Sequence, residues 1–231
     1  MRIRVWNVNK GFQSKAQEAF RGNPDVVVLP ESPRDFVRDG WAWGWAGRNR
    51  NSGIGIGISN ALHRTDLRRI CTQREWFSIV ELDLPEPTVV VGVWACYSAS
   101  PRKREMGPTN SSLPALIKEI GDRRAIVAGD FNNGSYWDQE GRADNFQNTV
   151  NALRDAGLVS AYHQFHEKEF GAEADPTFYS KRQETSPHHI DYCFIPEDWC
   201  ERLDSVEVGR YQDWISLSDH MPLTINLTDP I

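Results

Sequence analysis

The chain has 231 residues, 39% of them hydrophobic and 25% charged, with a formal net charge of −6. Such a composition belongs to a globular domain whose core needs no disulfide support, and no stretch approaches the apolar length of a membrane span. The acidic balance argues against binding nucleic acid by bulk charge and leaves room for basic loops that act locally.

Four cysteines (Cys71, Cys96, Cys193, Cys200) are scattered without a C-x-x-C pair, which predicts reduced thiols rather than a metal finger. Met1–Asn7 runs straight into a strand pattern with no room for a signal peptide, so the expected location is cytoplasmic. Ile3–Val8 reads as the first strand. Ser14 and Gln17 form a capping-box pattern for a helix over Lys15–Arg21, stopped by Gly22. Asp25–Leu29 is a second buried strand, with Glu31 at its exit.

From Asp39 to Ser52 the pattern is loop-like. Trp41, Trp43 and Trp45 alternate there, and an extended chain would put their indoles on one face, followed by Arg48 and Arg50. Gly44 and Gly47 leave such a loop little to pack with, which favours an open stacking platform. The Gly53–Ile58 alternation predicts a strand held close to another backbone. Leu67–Cys71, Trp76–Leu84 and Thr88–Ala95 follow as strands. Val80, Leu82 and Leu84 alternate with Glu81 and Asp83, which predicts one buried face and one wet face.

A basic loop, Ser98–Asn110, carries Arg102, Lys103 and Arg104. Leu113, Leu116, Ile117 and Ile120 then recur at helical spacing before Gly121. Ala125-Ile126-Val127-Ala128 is a buried strand closed by Gly129, and Asp130 and Asn132 project the same way from its exit. Taken alone, Asp, Asn and Gly there read more readily as a turn. Phe146, Val150 and Leu153 define a further helix, and Tyr162–Ser186 is irregular. Strands resume at Ile190–Ile195, Ser205–Gly209 and Leu223–Leu227. With no repeat or linker, residues 1–231 are expected to form one domain.

Polar groups thus stand at strand ends throughout: Asn7, Glu31, Asp130 with Asn132, Asp191, and Asp219 with His220. Sites are commonly assembled from such positions. The ordered motifs are W-N-V-N (Trp6–Asn9), L-P-E-S (Leu29–Ser32), G-D-F-N (Gly129–Asn132), H-I-D-Y (His189–Tyr192) and S-D-H (Ser218–His220). Together they resemble the endonuclease/exonuclease/phosphatase superfamily over residues 6–220. That resemblance implies a four-layer α+β sandwich, two packed and mainly antiparallel β-sheets flanked by helices, with a Mg²⁺ or Mn²⁺ site at one end.

The resemblance also implies roles. Glu31 would be the principal metal ligand, with Asn7 and Asp219 nearby. Asp130 would orient or deprotonate the attacking water, and Asn132 would donate to the phosphate. His220 would meet the phosphate as imidazolium, held by Asp191, and Asn7 joins the catalytic group. Tyr97 is the candidate acid for the leaving group, although the Pro that often stands two residues later in relatives is here displaced to Pro101. Asn9 replaces an Asp of some relatives, which weakens a second metal position. His188 and His189 stand where relatives have Arg or Lys, and loop exposure is expected of them.

The expected function is a metal-dependent nuclease that hydrolyses DNA or RNA, with Trp43, Trp45, Arg48, Arg50, Arg102, Lys103 and Arg104 contacting substrate. One alternative is a phosphatase or phosphodiesterase for a small phosphorylated molecule, which a pI of about 5.5 favours. Another is a non-catalytic binding module, which the intact set of site residues opposes.

Overall fold

The computed structural model describes residues 1–62, 77–82, 86–95, 116–142 and 145–228. Its six-stranded sheet has the order β12 (Leu203–Val208), β13 (Leu223–Leu227), β1 (Arg2–Val5), β2 (Val26–Ser32), β4 (Ser52–Ser59), β3 (Trp41–Asn49). A five-stranded sheet has the order β5 (Phe77–Leu82), β6 (Thr88–Trp94), β7 (Arg124–Asp130), β11 (Asp191–Pro196), β8 (Leu158–Ser160). A two-stranded ribbon joins β9 (Phe178–Tyr179) to β10 (Pro187–His188). Among the described residues, β1–β2 and β6–β7 pair in parallel, and the remaining pairs are antiparallel.

Period-two alternation sorts the side chains of each strand into layers. Ile3, Val28 and Ile56 of one sheet meet Val80, Ile126 and Cys193 of the other in the central core. The opposite face of the five-stranded sheet, including Val91, Val127 and Phe194, packs under α2 (116–120) and α3 (Phe146–Asp155) through Leu116, Ile120, Phe146 and Leu153. Val27 and Leu29, on the outer face of the six-stranded sheet, are covered by residues that include Phe12, Phe20 and Trp214. These covering residues come from the region of α1 (Ala16–Ala19) and from α5 (Tyr211–Trp214). The result is the expected four-layer sandwich. Burying one such side chain is worth ~1.5–3 kcal/mol, so a one-residue slip, which exchanges both faces, is strongly disfavoured.

Several local expectations are corrected. Residues 39–52 hold the edge strand β3 rather than a loop. Gly53, Gly55 and Gly57 of β4 turn outward while Ile54, Ile56 and Ile58 turn inward, and the indoles lie over the glycines. A Cβ on Gly55 would overlap the Trp43 ring, and one on Gly53 would overlap Trp45. The close neighbour foreseen for this strand is therefore an indole row. Lys15–Arg21 is not one helix: a 3-10 turn at Phe12–Ser14 precedes the single-turn α1, and the Ser14 hydroxyl donates to the Gly11 carbonyl instead of capping.

The segment expected to be irregular overlaps α4 (Ala161–His166) and contains β9, whose ribbon partner β10 follows directly after the segment. In β5 the second face is also buried, by Phe77 and Ile79, with Glu81 only half-buried. The strand foreseen at Leu67–Cys71, together with Tyr97, Arg102, Lys103 and Arg104, lies outside the described residues. Cys193 and Cys200 are free thiols.

The topology gathers the polar strand ends. Parallel pairing sends β1 and β2 out at the same edge, and β13, antiparallel to β1, enters there. In the other sheet β7 exits where β11 enters, with Asp130 directly opposite Asp191. Residues up to 213 positions apart in the chain, Asn7 and His220, thereby reach one rim.

Candidate active site

The strand ends carry local conformations that aim their side chains. Glu31 sits at a register shift in β2 with φ of 63°, a left-handed value a Glu rarely adopts. The bulge turns its carboxylate toward the β1 exit. Gly129 has φ of 142°, and a Cβ there would overlap the Val93 backbone, so only glycine lets β7 lie this close to β6 before Asp130. Asn132, at φ of 48°, folds back so that its backbone N–H donates to Asp130 Oδ1 at 2.8 Å and its amide to Oδ2 at 2.9 Å.

Asp130 is almost fully buried, and Asp191 is 0% exposed. Like charges directly across a ladder repel. His220 lies between them, its Nδ1 donating to Asp191 Oδ2 at 2.8 Å and its Nε2 4.0 Å from Asp130 Oδ2. Burial works to lower the His220 pKa, but the charge and hydrogen bond of Asp191, with Asp130 and Asp219 adding, raise it to about 9. Burial raises the Asp130 carboxyl to about 7; the His220 imidazolium opposes the rise, Asp191 reinforces it, and hydrogen bonds from Asn7 and Asn132 oppose it.

The Asn7 amide links the two sheets. Its Nδ2 donates to Asp130 Oδ2 at 2.9 Å and to Glu31 Oε1 at 3.3 Å. Its Oδ1 accepts the Asn9 N–H at 2.9 Å, which fixes the amide orientation. Asn9 Nδ2 in turn donates to Asp219 Oδ1 at 2.7 Å. Asn7, Glu31, Asp130, Asn132, Asp191, Asp219 and His220 therefore form one connected constellation.

Residues unassigned in the sequence hold this set in place. Thr177 Oγ1 accepts the N–H groups of Ile190 and Asp191, both at 3.0 Å, and the Thr177 carbonyl accepts Met221 N–H at 2.7 Å. Ser218 Oγ donates to the Asn7 carbonyl and accepts the His220 N–H. Trp6 Nε1 donates to the His220 carbonyl, and the Phe178 ring lies 4.7 Å from the His220 ring. Lys15 Nζ donates to the carbonyls of Val8 and Lys10, within the field of Asp219 and Glu31. The Thr-Phe-Tyr run, an apolar pair inside a polar stretch, was the one signal available for Thr177.

The remaining candidates are placed differently. Trp41 and Trp43 belong to the outer core with Phe12, Phe20 and Phe36. Trp45 is half-buried, with Nε1 donating to the Ser32 carbonyl. Arg48 and Arg50 lie at the β3–β4 turn, on the same edge as Glu31, and Arg50 pairs with Asp35. His189 is buried and donates Nδ1–H to the Asp175 carbonyl, and His188 is half-buried in β10, so neither has the exposure expected of it. An open groove lined by Glu86, Asp122 and Arg124 lies at the far end of β7 and takes no part in the constellation.

Two donor sets could hold a cation. Asp130, Asp191 and His220 bring ligand atoms within 4.8 Å of one another. His220 is committed to Asp191 through Nδ1, however, and held as imidazolium, which offers a metal no lone pair. Glu31 and Asp219 offer half-buried carboxylate oxygens beside the Asn7–Asn9 segment. That set of carboxylate oxygens fits a divalent cation better.

A buried carboxylate and an imidazolium face each other beside further acidic oxygens, an arrangement that can move a proton and steady developing negative charge. The model of the Endonuclease/Exonuclease/phosphatase family matches residues 5–220, and the chain belongs to that family. Its members of nuclease and phosphoesterase type are metal-dependent, and this chain is a hydrolase of that class. The fold is similar to that of the 3' phosphatase NExo from Neisseria bound to product DNA hairpin, at TM-score 0.74 and 19% identity over 99% of this chain and 100% of that one. It also resembles the AP endonuclease LMAP from Leishmania major (TM-score 0.76, 15% identity, 99% and 88% covered). The Xenopus laevis APE2 catalytic domain is a further neighbour (TM-score 0.74, 17% identity, 98% and 91% covered). No curated protein matches by sequence. No described helix is long and apolar enough to cross a membrane.

Proposed function

We propose that the chain is a Mg²⁺- or Mn²⁺-dependent nuclease that hydrolyses phosphodiester bonds in DNA. The observation that carries this reading is the facing pair: His220 Nε2 and Asp130 Oδ2 lie 4.0 Å apart, with two side-chain amides converging on the same oxygen. At that spacing the charged donor and the base can both contact one phosphate and its attacking water from one side, with no room for either between them.

Asp130 takes the proton of the attacking water. Its raised pKa makes it a stronger base than a surface carboxylate, which improves proton transfer near neutral pH. His220, kept charged by Asp191, and the Asn132 amide stabilise charge on the non-bridging oxygens. Asn7 holds Asp130 in register with Glu31. Glu31 and Asp219 would hold the cation, which when bound offsets charge on the phosphate and on the leaving oxygen. Tyr97 remains the candidate acid for the leaving group.

Nucleic acid as substrate is supported by neighbours that are DNA-processing enzymes by name, and by Arg48 and Arg50 on the site's own edge. Incubating the purified protein with Mg²⁺ or Mn²⁺ and plasmid, single-stranded DNA, abasic duplex, RNA and a panel of phosphomonoesters tests it. Turnover confined to small phosphomonoesters would replace this reading with the small-molecule phosphatase that the acidic pI favours.

A further inference from the structure

Four large hydrophobic side chains stand exposed among the described residues, and two of them are adjacent and close to the site: Tyr136 at 40% and Trp137 at 39%. We infer that Tyr136 and Trp137 form a stacking ledge for an unpaired nucleobase of the substrate strand whose phosphate meets His220; this rests on the nuclease reading above. An aromatic side chain this exposed loses contact area to water that a base's π-face would cover.

The ledge is continuous with the chemistry. Tyr136 lies 5.6 Å from the His188 ring at an interplanar angle of 17°, and Trp137 lies 5.1 Å from the same ring. His188 is 6.2 Å from Phe178 at 23°, and Phe178 is 4.7 Å from His220. A row of ring contacts, two stacked and two tilted by 43–45°, thus leads from the His220 imidazole to the surface. Burial lowers the His188 pKa, so its ring is neutral at neutral pH and takes its place in the row as an uncharged aromatic.

The ledge is also rigid. Ser135–Trp137 is a 3-10 turn closed by Trp137 N–H to the Gly134 carbonyl and Asp138 N–H to the Ser135 carbonyl, both at 3.0 Å. A Cβ on Gly134 would crowd the Tyr136 ring, so the ring packs flush on that backbone. Asp138 then accepts the N–H groups of Phe146 and Gln147 at 2.6 and 2.9 Å, pinning the turn to the start of α3. Holding both rings before substrate arrives reduces the ordering cost of stacking. Bases of any identity offer such a face, so the ledge confers strand preference rather than sequence preference.

The test measures binding by fluorescence anisotropy with Mg²⁺ in an Asp130→Asn background, where cleavage does not interfere. The probes are a short oligothymidylate and an abasic strand of the same length, which keeps the phosphates and lacks the bases. The expected result is that Trp137→Ala weakens the oligothymidylate ~5- to 150-fold, the range of one lost base stack, and changes abasic-strand binding by less than about twofold. Trp137→Phe should keep most of the affinity. Equal losses on both strands, or no loss on either, would overturn the ledge and leave the nuclease reading standing. Failure of the protein with Trp137 intact to bind either strand would overturn both.

Discussion

At the scale of single residues, the energetics centre on two buried carboxylates that share one imidazole. The folded pKa of Asp130 is raised above its unfolded value, so the group's stabilising contribution is complete below about pH 3.8 and is lost as pH rises through about 7. Asp130→Asn should therefore melt higher than wild type in chelator at pH 8, with the gap closing toward pH 4, as read by calorimetry. The same variant should lose ~10²–10⁴-fold in turnover, because it keeps the shape and removes the base. A folded variant with wild-type turnover would end the mechanism.

His220 shifts in the same direction, with its window at higher pH. Its pKa is raised, so its stability contribution is complete below about 6.5 and lost through about 9. Asp191→Asn removes the charge that sustains this. The alkaline limb of kcat/KM, expected in wild type near the His220 value of about 9, should then move down toward the ordinary histidine value of ~6.5 or below. An unmoved limb would show that His220 does not act as imidazolium.

At the scale of elements, β3 and β4 explain the tryptophan run. Alternating glycines on β4 make a trough, and the indoles of β3 fill it; Trp43 also lies 5.1 Å from Phe36. Trp43→Ala should cost ~2–3 kcal/mol in chemical denaturation, below the ~3–5 kcal/mol of a fully buried aromatic because Trp43 is only half-buried. Loss of DNA binding with an unchanged melting temperature would instead return Trp43 to a stacking role. The β2 bulge has a comparable part: it places Glu31 at the cost of a left-handed φ.

At the scale of the whole molecule, cation binding should appear as stability. A cation at about 100 times its Kd adds ~2.7 kcal/mol, which for a domain of this size corresponds to a rise of ~5–10 °C in Tm. Glu31→Gln should abolish most of that rise while melting normally in chelator. A full rise in Glu31→Gln would transfer the cation to another donor set.

How much of this was legible in the chain differs between core and site. Uninterrupted apolar runs such as Val26–Leu29 and Ala125–Ala128 marked their strands by themselves, because a strand buried on both faces needs no knowledge of its partners, whereas the layered arrangement came from the family resemblance. The motif order likewise carried the family and the seven-residue constellation. Short segments were not legible. β3 resembled a loop because its glycines and tryptophans make sense only against β4, and Thr177 looked idle because its hydroxyl serves two N–H groups 13 and 14 residues away. Protonation was the tertiary structure's decision above all. A sequence places Asp130, Asp191 and His220 in three separate motifs, and only their burial within one shared contact fixes which of them carries charge.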